Sequence, residues 1–418
     1  MSVNAAVGPF QRIVDLSAVG EINQIIYLSK DFKSTAGQLS PTDEEIKVFI
    51  PRFYFPTRSI NISPVELNPG VYPRGDREVI PAEKGIVFLS FEGYKAYYGS
   101  DFGNYIDRYW ILIKVNVYTG ERIGGIYGGP FSGQDEREAN GTSGVYKDGF
   151  VYLTNHVVVV KIDAENLSVV STVSIPPRNQ NEDWRIDYGA PIRVDNLGNI
   201  FLFDMSSSEV YDEENFYYVH KKTNMTFYAV NESPLSLSNI YYDSPASPPY
   251  LNLFKHSDWA FAASNGTVAH VDNAETVRTT NGSFSLPQST TKSSESVFPD
   301  GMITGNAQGF FYFRSISESS TFLYKLDSST LSIIGSIDMT SDFLEMNQPE
   351  VQDFASTDKT LFMVVAEVGG NNEAVPYIVS VDSVNFAVNF KRPFPEYSYS
   401  RSSFTSKIGI LDSGFVSK

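Results

Sequence analysis

Aromatic rings and carboxylates, rather than histidines or thiols, are the residues through which this chain could act. The segment "EGYKAYYGSDFGNYIDRY", residues 92–109, holds Tyr94, Tyr97, Tyr98, Tyr105 and Tyr109 among glycines and acidic residues. A tyrosine offers a flat ring for stacking and a hydroxyl for hydrogen bonding, a combination suited to sugars or protein partners. Read as a loop, the segment either presents these rings to a ligand or folds them back to cap the structure. A second stretch, "PPRNQNEDWRIDYG" at 176–189, sets Trp184 beside Arg185. An indole stacks on apolar sugar faces and a guanidinium can grip a carboxylate with two hydrogen bonds; the alternative is a structural plug. A third, "MSSSEVYDEENF" at 205–216, joins Tyr211 to Asp212, Glu213 and Glu214. Its oxygens could gather Ca²⁺, but no Asp-x-Asp-x-Asp-Gly spacing is present, so a solvated acidic tip is expected. The candidate ligand-binding residues are therefore Tyr94, Tyr97, Tyr98, Tyr105, Trp184, Arg185 and Tyr211.

Signs of catalysis are missing. The histidines, His156, His220, His256 and His270, are not spaced as a metal pair on one helix or strand. A single histidine on a strand is ordinarily a structural residue. There is no G-x-S-x-G elbow, phosphate-binding loop or H-E-x-x-H. No pair of carboxylates stands out as a general acid and base. The expectation is no catalytic residue, no metal site and no cofactor. The turn "AEVGGNNEAVPY", 366–377, reads as a flexible hairpin tip, and "SGQDEREANGTSG", 132–144, as a solvated charged link.

Composition narrows the partners. With Asp and Glu at 49 against 32 Lys and Arg, the formal net charge is −17, which disfavours nucleic acid and anionic membrane surfaces. The absence of cysteine excludes disulfides and thiolate chemistry. No apolar run is long enough to span a bilayer. The N-terminus "MSVNAAVGPFQRIVDL" lacks the basic and apolar regions of a signal peptide, so either export by that route does not occur or a leader has been removed.

The elements that must position these residues are strands. Of 418 residues, 14% are aromatic, with 25 Tyr and 30 Phe, and long amphipathic helical stretches are missing. The segment "LYKLDSSTLSIIGSIDM", 323–339, reads strand, polar turn, strand. Relatives begin at Ile111, Val157 and Tyr377, weaker ones at Tyr217 and Thr267, and another at Gln11. Upstream of such pairs recurs a turn marked by Gly, Asn or Asp, followed by an aromatic strand. These markers fall at Gly85, Gly149, Asn199, Asp258, Gly309, Thr360 and Gly414, about 50–64 residues apart. Sheets apolar on both faces and repeated at this period bury one another only in a ring, a β-propeller. With the markers on the second strand of each four-stranded sheet, the hairpins supply the third and fourth.

The expected fold is all-β: a seven-bladed propeller, 1–418, closed by N- and C-terminal strands sharing one blade. The excess length near residues 30–70 is expected to be an insertion, with an eighth blade as the alternative.

Specific residues carry a family resemblance. "KVNVYTGERIGG" from Lys114 resembles the outer strands of quinoprotein-like propellers, with their Asp/Asn-x-x-Thr-Gly turn. "VVKIDAENLSVVSTVSI" from Val159 and "YKLDSSTLSIIGSI" from Tyr324 are similar to blades of the quinoprotein amine dehydrogenase-like group. "RVDNLGNIFLFD" from Arg193 looks like a blade of the NHL type. The resemblance implies architecture; it transfers no catalytic position, and the Gly-His and Trp-Asp pairs of a typical WD40 chain are missing.

The functional expectation is a non-catalytic recognition protein that binds a protein, glycan or small-molecule ligand through its loop face. The alternatives are a hydrolase or lyase with an axial metal, and a structural subunit of a larger assembly such as a virion. An extracytoplasmic, cell-surface or virion-associated setting is favoured.

Overall fold

The computed structural model describes residues 10–15, 23–29, 52–54, 72–83, 86–98, 104–116, 121–129, 142–154, 158–176, 184–187, 191–212, 217–243, 261–272, 276–280, 282–285, 301–305, 310–316, 321–338, 349–356, 360–368, 373–382, 384–393, 399–400 and 406–412. Among them every regular element is a strand. Sheet I begins with β1 (Phe10–Asp15), β2 (Asn23–Ser29) and β3 (Arg52–Tyr54). Sheet II is β4 (Tyr72–Pro81), β5 (Ile86–Tyr98), β6 (Asn104–Asn116) and β7 (Glu121–Gly128). Sheet III is β8 (Ser143–Lys147), β9 (Phe150–Thr154), β10 (Val158–Asp163) and β11 (Ser168–Ser174). In sheet IV the inner position is split between β12 (Trp184–Asp187) and β13 (Ile192–Val194). Both pair with β14 (Ile200–Asp212), which is followed by β15 (Tyr217–Glu232) and β16 (Leu235–Asp243).

Sheet V is β17 (Phe261–Ser264), β18 (Thr267–Asp272), β19 (Thr276–Thr279) and β20 (Gly282–Ser285). Sheet VI is β21 (Gly301–Gly305), β22 (Phe310–Ile316), β23 (Thr321–Asp327) and β24 (Ile333–Asp338). Sheet VII is β25 (Pro349–Ser356), β26 (Thr360–Val368), β27 (Glu373–Asp382) and β28 (Val388–Pro393), with β29 (Tyr399–Ser400) added to β27. The chain then returns to sheet I as β30 (Ser406–Asp412), antiparallel to β2.

The inner strands touch in a closed circuit: β30 on β4, β4 on β8, β8 on β13, β13 on β17, β17 on β21, β21 on β25, and β25 on β30. Antiparallel sheets joined in a ring through their first strands make a β-propeller. The described strands fall into seven sheets. N- and C-terminal strands share sheet I, with Ile25 opposite Ile410. The C-terminal contribution is the innermost strand, ending before the marker at Gly414, which lies outside the described residues. β3, from within the stretch expected as an insertion, is the outer strand of the same sheet.

The repeat markers identify the second strand in sheets II, III, IV, VI and VII. In sheet V the assignment shifts by one. "SDWAFAA" leads into the inner strand β17, and the marked turn is Asn265–Gly266 ahead of β18. The stretch from Tyr217, expected as two strands, is the single strand β15. Two first-to-second turns explain their own sequence: Asp148–Gly149 and Asn265–Gly266 place both residues at positive φ, 48° and 82°, and 52° and 76°. This is the two-residue hairpin geometry that Asp-Gly and Asn-Gly tolerate and branched residues do not.

The middle strands of sheet III each serve two neighbours. On β9, Val151 and Leu153 join Phe88, Trp110 and Leu112 of sheet II, whereas Tyr152 between them packs with Ile192, Ile200 and Leu202 of sheet IV. On β10, Val158, Val160 and Ile162 face sheet II, and Val159 faces sheet IV. The period-2 alternation of a strand thus feeds two cores, which is why a sheet standing alone would leave both apolar faces in water. Leu323 and Ile337 of sheet VI meet Leu361, Met363 and Val379 of sheet VII in the same manner. Full burial of each such side chain stabilises by about 1.5–3 kcal/mol.

A clasp recurs between neighbouring sheets. The third-to-fourth turns of sheets III, VI and VII read Asp163 to Leu167, Asp327 to Leu331 and Asp382 to Phe386. In each the aspartate Oδ1 accepts hydrogen bonds from the backbone two and three residues on, at 2.7–3.0 Å. The fifth residue donates its N–H to the first carbonyl and sits at positive φ, 53°, 56° and 59°. That conformation is costly for leucine or phenylalanine. Two of these side chains pack on the preceding sheet: Leu167 on Gly124 and Phe386 on Gly335. Gly124 and Gly335 lie opposite Lys114 and Lys325, and both lysines reach the same following turn. Lys114 Nζ donates to the Ala164 carbonyl at 2.7 Å, and Lys325 Nζ stands 5.9 Å from the Phe386 ring centre.

Candidate functional site

In a ring of like-ordered sheets, second-to-third turns open on one face of the disc and first-to-second and third-to-fourth turns on the other. The first of these faces carries the candidate binding residues. They lie on strands rather than in loops. β5 and β6 remain paired through Lys95–Asp107, Ala96–Ile106, Tyr97–Tyr105 and Tyr98–Asn104. Their flanking strands end earlier, β4 at Tyr72 opposite Tyr94 and β7 at Gly128 opposite Trp110. Four residue pairs therefore project as a two-stranded ribbon.

Sheet IV builds a second ribbon. β14 and β15 stay paired through Glu209–His220, Val210–Val219, Tyr211–Tyr218 and Asp212–Tyr217. The flanking strands reach only Ser208, opposite Trp184, and Met225, opposite Asp243. Trp184 and Arg185 thus belong to β12, alongside the foot of this ribbon, and Tyr211 lies on the ribbon itself. The polar run Ser206–Ser208 pairs with Lys222–Asn224, which keeps β15 continuous through a sequence that resembles a turn.

The structure places Tyr97, Tyr98 and Tyr105 on one ribbon with Tyr94 at its foot, and Tyr211 on the other with Trp184 and Arg185 beside its foot; their side chains lie outside the described residues. At the foot of the first ribbon, Tyr109 is buried at 4% exposure and meets Tyr127 edge to face, 6.2 Å between ring centres. Sequence reading grouped Tyr109 with its neighbours in the segment, whereas it belongs to the core. Sheet VII carries a related feature: the Tyr377 hydroxyl donates to Glu367 Oε2 at 2.7 Å. Burial first, then this hydrogen bond to a carboxylate, pushes the phenol up to about 12. His220 and His270 lie on β15 and β18, and His156 and His256 fall outside the described residues.

The opposite face holds a polar cluster that joins two sheets, and sequence reading did not find it. Glu232, at the end of β15, binds Lys147 of sheet III through Oε1 and accepts from the Tyr152 hydroxyl at Oε2, 2.8 Å. Lys161 donates to the Glu232 carbonyl at 3.2 Å, and its ammonium lies 4.2 Å from the centre of the Phe150 ring. Burial opposes the Glu232 charge, but hydrogen bonds from Lys147 and Tyr152 outweigh it and hold the carboxyl below its ordinary value. Burial, with Glu232 adding to it, raises the Tyr152 phenol. The carboxylate is therefore ionised and the phenol neutral at physiological pH, and both are committed to one another. Such a group joins two sheets and offers no free acid or base.

A second join lies nearer the axis. Buried Asp195 accepts from Leu197 N and Asn199 N through Oδ1, and from Gly266 N of sheet V through Oδ2 at 2.8 Å. Among the described residues no group of three or more His, Asp or Glu is placed to hold a metal ion. Among them, too, no helix is long and apolar enough to cross a membrane.

No protein-family model matches the chain, and no curated protein matches it. Solved structures align at low similarity. The WD40 domain of SCAP from fission yeast shares 8% identity over 81% of this chain and 76% of its own, with a TM-score of 0.33. Hsv2 from Kluyveromyces marxianus shares 10% identity over 78% and 98%, TM-score 0.35. Quinohemoprotein alcohol dehydrogenase from Comamonas testosteroni shares 10% over 77% and 67%, TM-score 0.36. The propeller architecture stands on the strand pairing and inner-strand circuit described above, and these likenesses add nothing to the reading of function.

Proposed function

We propose that this chain is a non-catalytic recognition module that engages a protein partner through the ribbon face of a propeller. The single observation supporting the reading is the pair of tyrosine-bearing ribbons, each extended four residue pairs past the strands that flank it. A paired ribbon beyond its sheet has backbone edges that no strand of its own sheet covers, and paired edges of this kind are used to bind partners. Tyr94, Tyr97, Tyr98 and Tyr105 form one arm of this surface; Trp184, Arg185 and Tyr211 form the other. Aromatic and arginine side chains carry most of the energy in protein interfaces. On this reading residues 1–418 are one propeller domain, and the excess length at about residues 30–70 is an insertion on either side of β3, the outer strand of sheet I.

The test is affinity enrichment from the source organism with two baits, the wild-type chain and Tyr97→Ser/Tyr98→Ser/Trp184→Ser, alongside a glycan array. A protein retained by the wild type and lost from the variant, with folding unchanged, is the expected result. Retention equal on both baits contradicts the assignment. A glycan signal that depends on the same residues replaces the protein partner with a sugar. Stoichiometric bound metal in the purified protein contradicts the non-catalytic reading.

A further inference from the structure

Three buried side-chain oxygens among the described residues have no hydrogen-bond partner: Ser90 Oγ, Thr142 Oγ1 and Thr154 Oγ1. A buried hydroxyl ordinarily finds a partner, in the protein or in an ordered water. Thr154 is the one whose surroundings say what that partner is. It closes β9 at 1% exposure. It lies two residues from Tyr152 and opposite Val159, both of which pack towards sheet IV. By strand alternation its side chain therefore enters the seam between sheets III and IV. Directly opposite on β8 is Ser143, also buried, two residues before Val145 of the same seam.

The facing strands of sheet IV are ordered alike. Leu202 and Tyr228 are a cross-strand pair in the apolar part of the seam. Asp204 and Thr226, both buried, are the next pair on that face. The seam is thus apolar through Val145, Tyr152, Leu202 and Tyr228 and ends, towards the ribbon face, in a polar layer with two residues from each sheet.

Ser143 fixes what this layer binds. Its Oγ accepts from Ile192 N at 3.1 Å and from Arg193 Nη1 at 3.2 Å, across the seam. Both lone pairs are engaged, so the hydroxyl has only its proton left to give. A cation needs free lone pairs and is disfavoured. An anion would share a buried layer with the Asp204 carboxyl and is disfavoured as well. Water fits. It accepts the protons of Ser143 and Thr154 and still donates two of its own, towards the acceptors of Asp204 and Thr226. Side chains directly opposite on paired strands have Cβ atoms about 4.5–5.5 Å apart, a gap that one water spans.

We infer that Ser143 and Thr154 bind one ordered water in the III–IV seam, which joins the two sheets through solvent where their apolar packing stops. The inference is independent of the ribbon reading and stands whether or not the ribbons hold a partner.

The test is high-resolution crystallography of the wild-type chain, Thr154→Val and Thr154→Ser. Valine keeps the shape of threonine and removes its hydroxyl, while serine keeps the hydroxyl. The expected wild-type map has a single water peak about 2.5–3.0 Å from both Ser143 Oγ and Thr154 Oγ1. The peak is expected to persist in Thr154→Ser and to disappear in Thr154→Val. A wild-type map in which the two hydroxyls bond protein groups directly overturns the inference, and it does so even if neither variant folds. A peak unchanged in Thr154→Val also overturns it. So does density too large for water, or an anomalous signal from a metal ion at that position.

Discussion

Leu167 of sheet III stands directly on Gly124 of sheet II: its Cδ1 lies 2.7 Å from the point a Cβ on Gly124 would occupy. A leucine at positive φ is retained because its side chain fills the space the glycine leaves. The glycine lies opposite Lys114, whose ammonium reaches the same turn. Apolar packing and a charged hydrogen bond thus lock one turn from two adjacent strands.

Gly124→Ala is therefore expected to destabilise by about 1–3 kcal/mol, because the added methyl overpacks a filled site. Gly335→Ala is the internal control. Its nearest neighbour, the Phe386 ring, is 3.4 Å away, an ordinary contact. There the change is expected to stay within about 1 kcal/mol and can stabilise by narrowing the unfolded ensemble. Denaturant midpoints of the two variants check the contrast.

The Glu232 cluster predicts a response to pH at both extremes. The folded carboxyl titrates below its ordinary value, so its stabilisation is present above the unfolded value of about 4.3 and is lost as pH falls through the folded value. The Tyr152 phenol titrates above its ordinary value, so its contribution is present below about pH 10 and is lost as pH rises through the folded value. Glu232→Ala strands Lys147 and the Tyr152 hydroxyl and is expected to cost about 1.5–3 kcal/mol at neutral pH. Its difference from wild type should shrink in acid. Tyr152→Phe should lose less stability than wild type on the alkaline side. Unfolding free energies measured from pH 3 to 11 test both.

The ribbon tyrosines and Tyr109 separate binding from folding. Tyr97→Ser and Tyr98→Ser lie past the flanking strands and are expected to change stability by less than about 0.5 kcal/mol. Tyr109→Ala removes a buried ring and should cost about 3–5 kcal/mol. Equal losses at the two kinds of site in thermal unfolding would show that the ribbon rings cap the blade.

The fold was more legible than the site. Alternation and marked turns located the second strand wherever it is aromatic, as in β5, β9, β14, β22 and β26. β18, "TVAHVD", lacks that aromatic character, so the marker slid to the preceding strand. The long ribbons were misread as loops for a related reason. Outside the core a strand need not alternate, and Ser206–Ser208 against Lys222–Asn224 satisfies the backbone without an apolar face. Glu232 could not be found from its neighbours, because its partners lie 71–85 residues away. One local signal was present: Lys114, Lys161 and Lys325 each stand two residues before the Asn or Asp that opens the third-to-fourth turn. A lysine recurring at the end of a buried strand needs an acceptor on the next sheet.

The central claim is that the ring closes through β2 and β30. Adjacent antiparallel pairs alternate between hydrogen-bonded and open geometry, so Gln24–Leu411 and Ile25–Ile410 sample both. Gln24→Cys/Leu411→Cys and Ile25→Cys/Ile410→Cys are each prepared in this cysteine-free chain and oxidised at low concentration. The most direct measurement is the fraction of intramolecular disulfide, read by mass after blocking free thiols. Near-complete bridging in at least one of the two variants is predicted, with a raised thermal midpoint; free thiols in both variants would contradict closure of the ring.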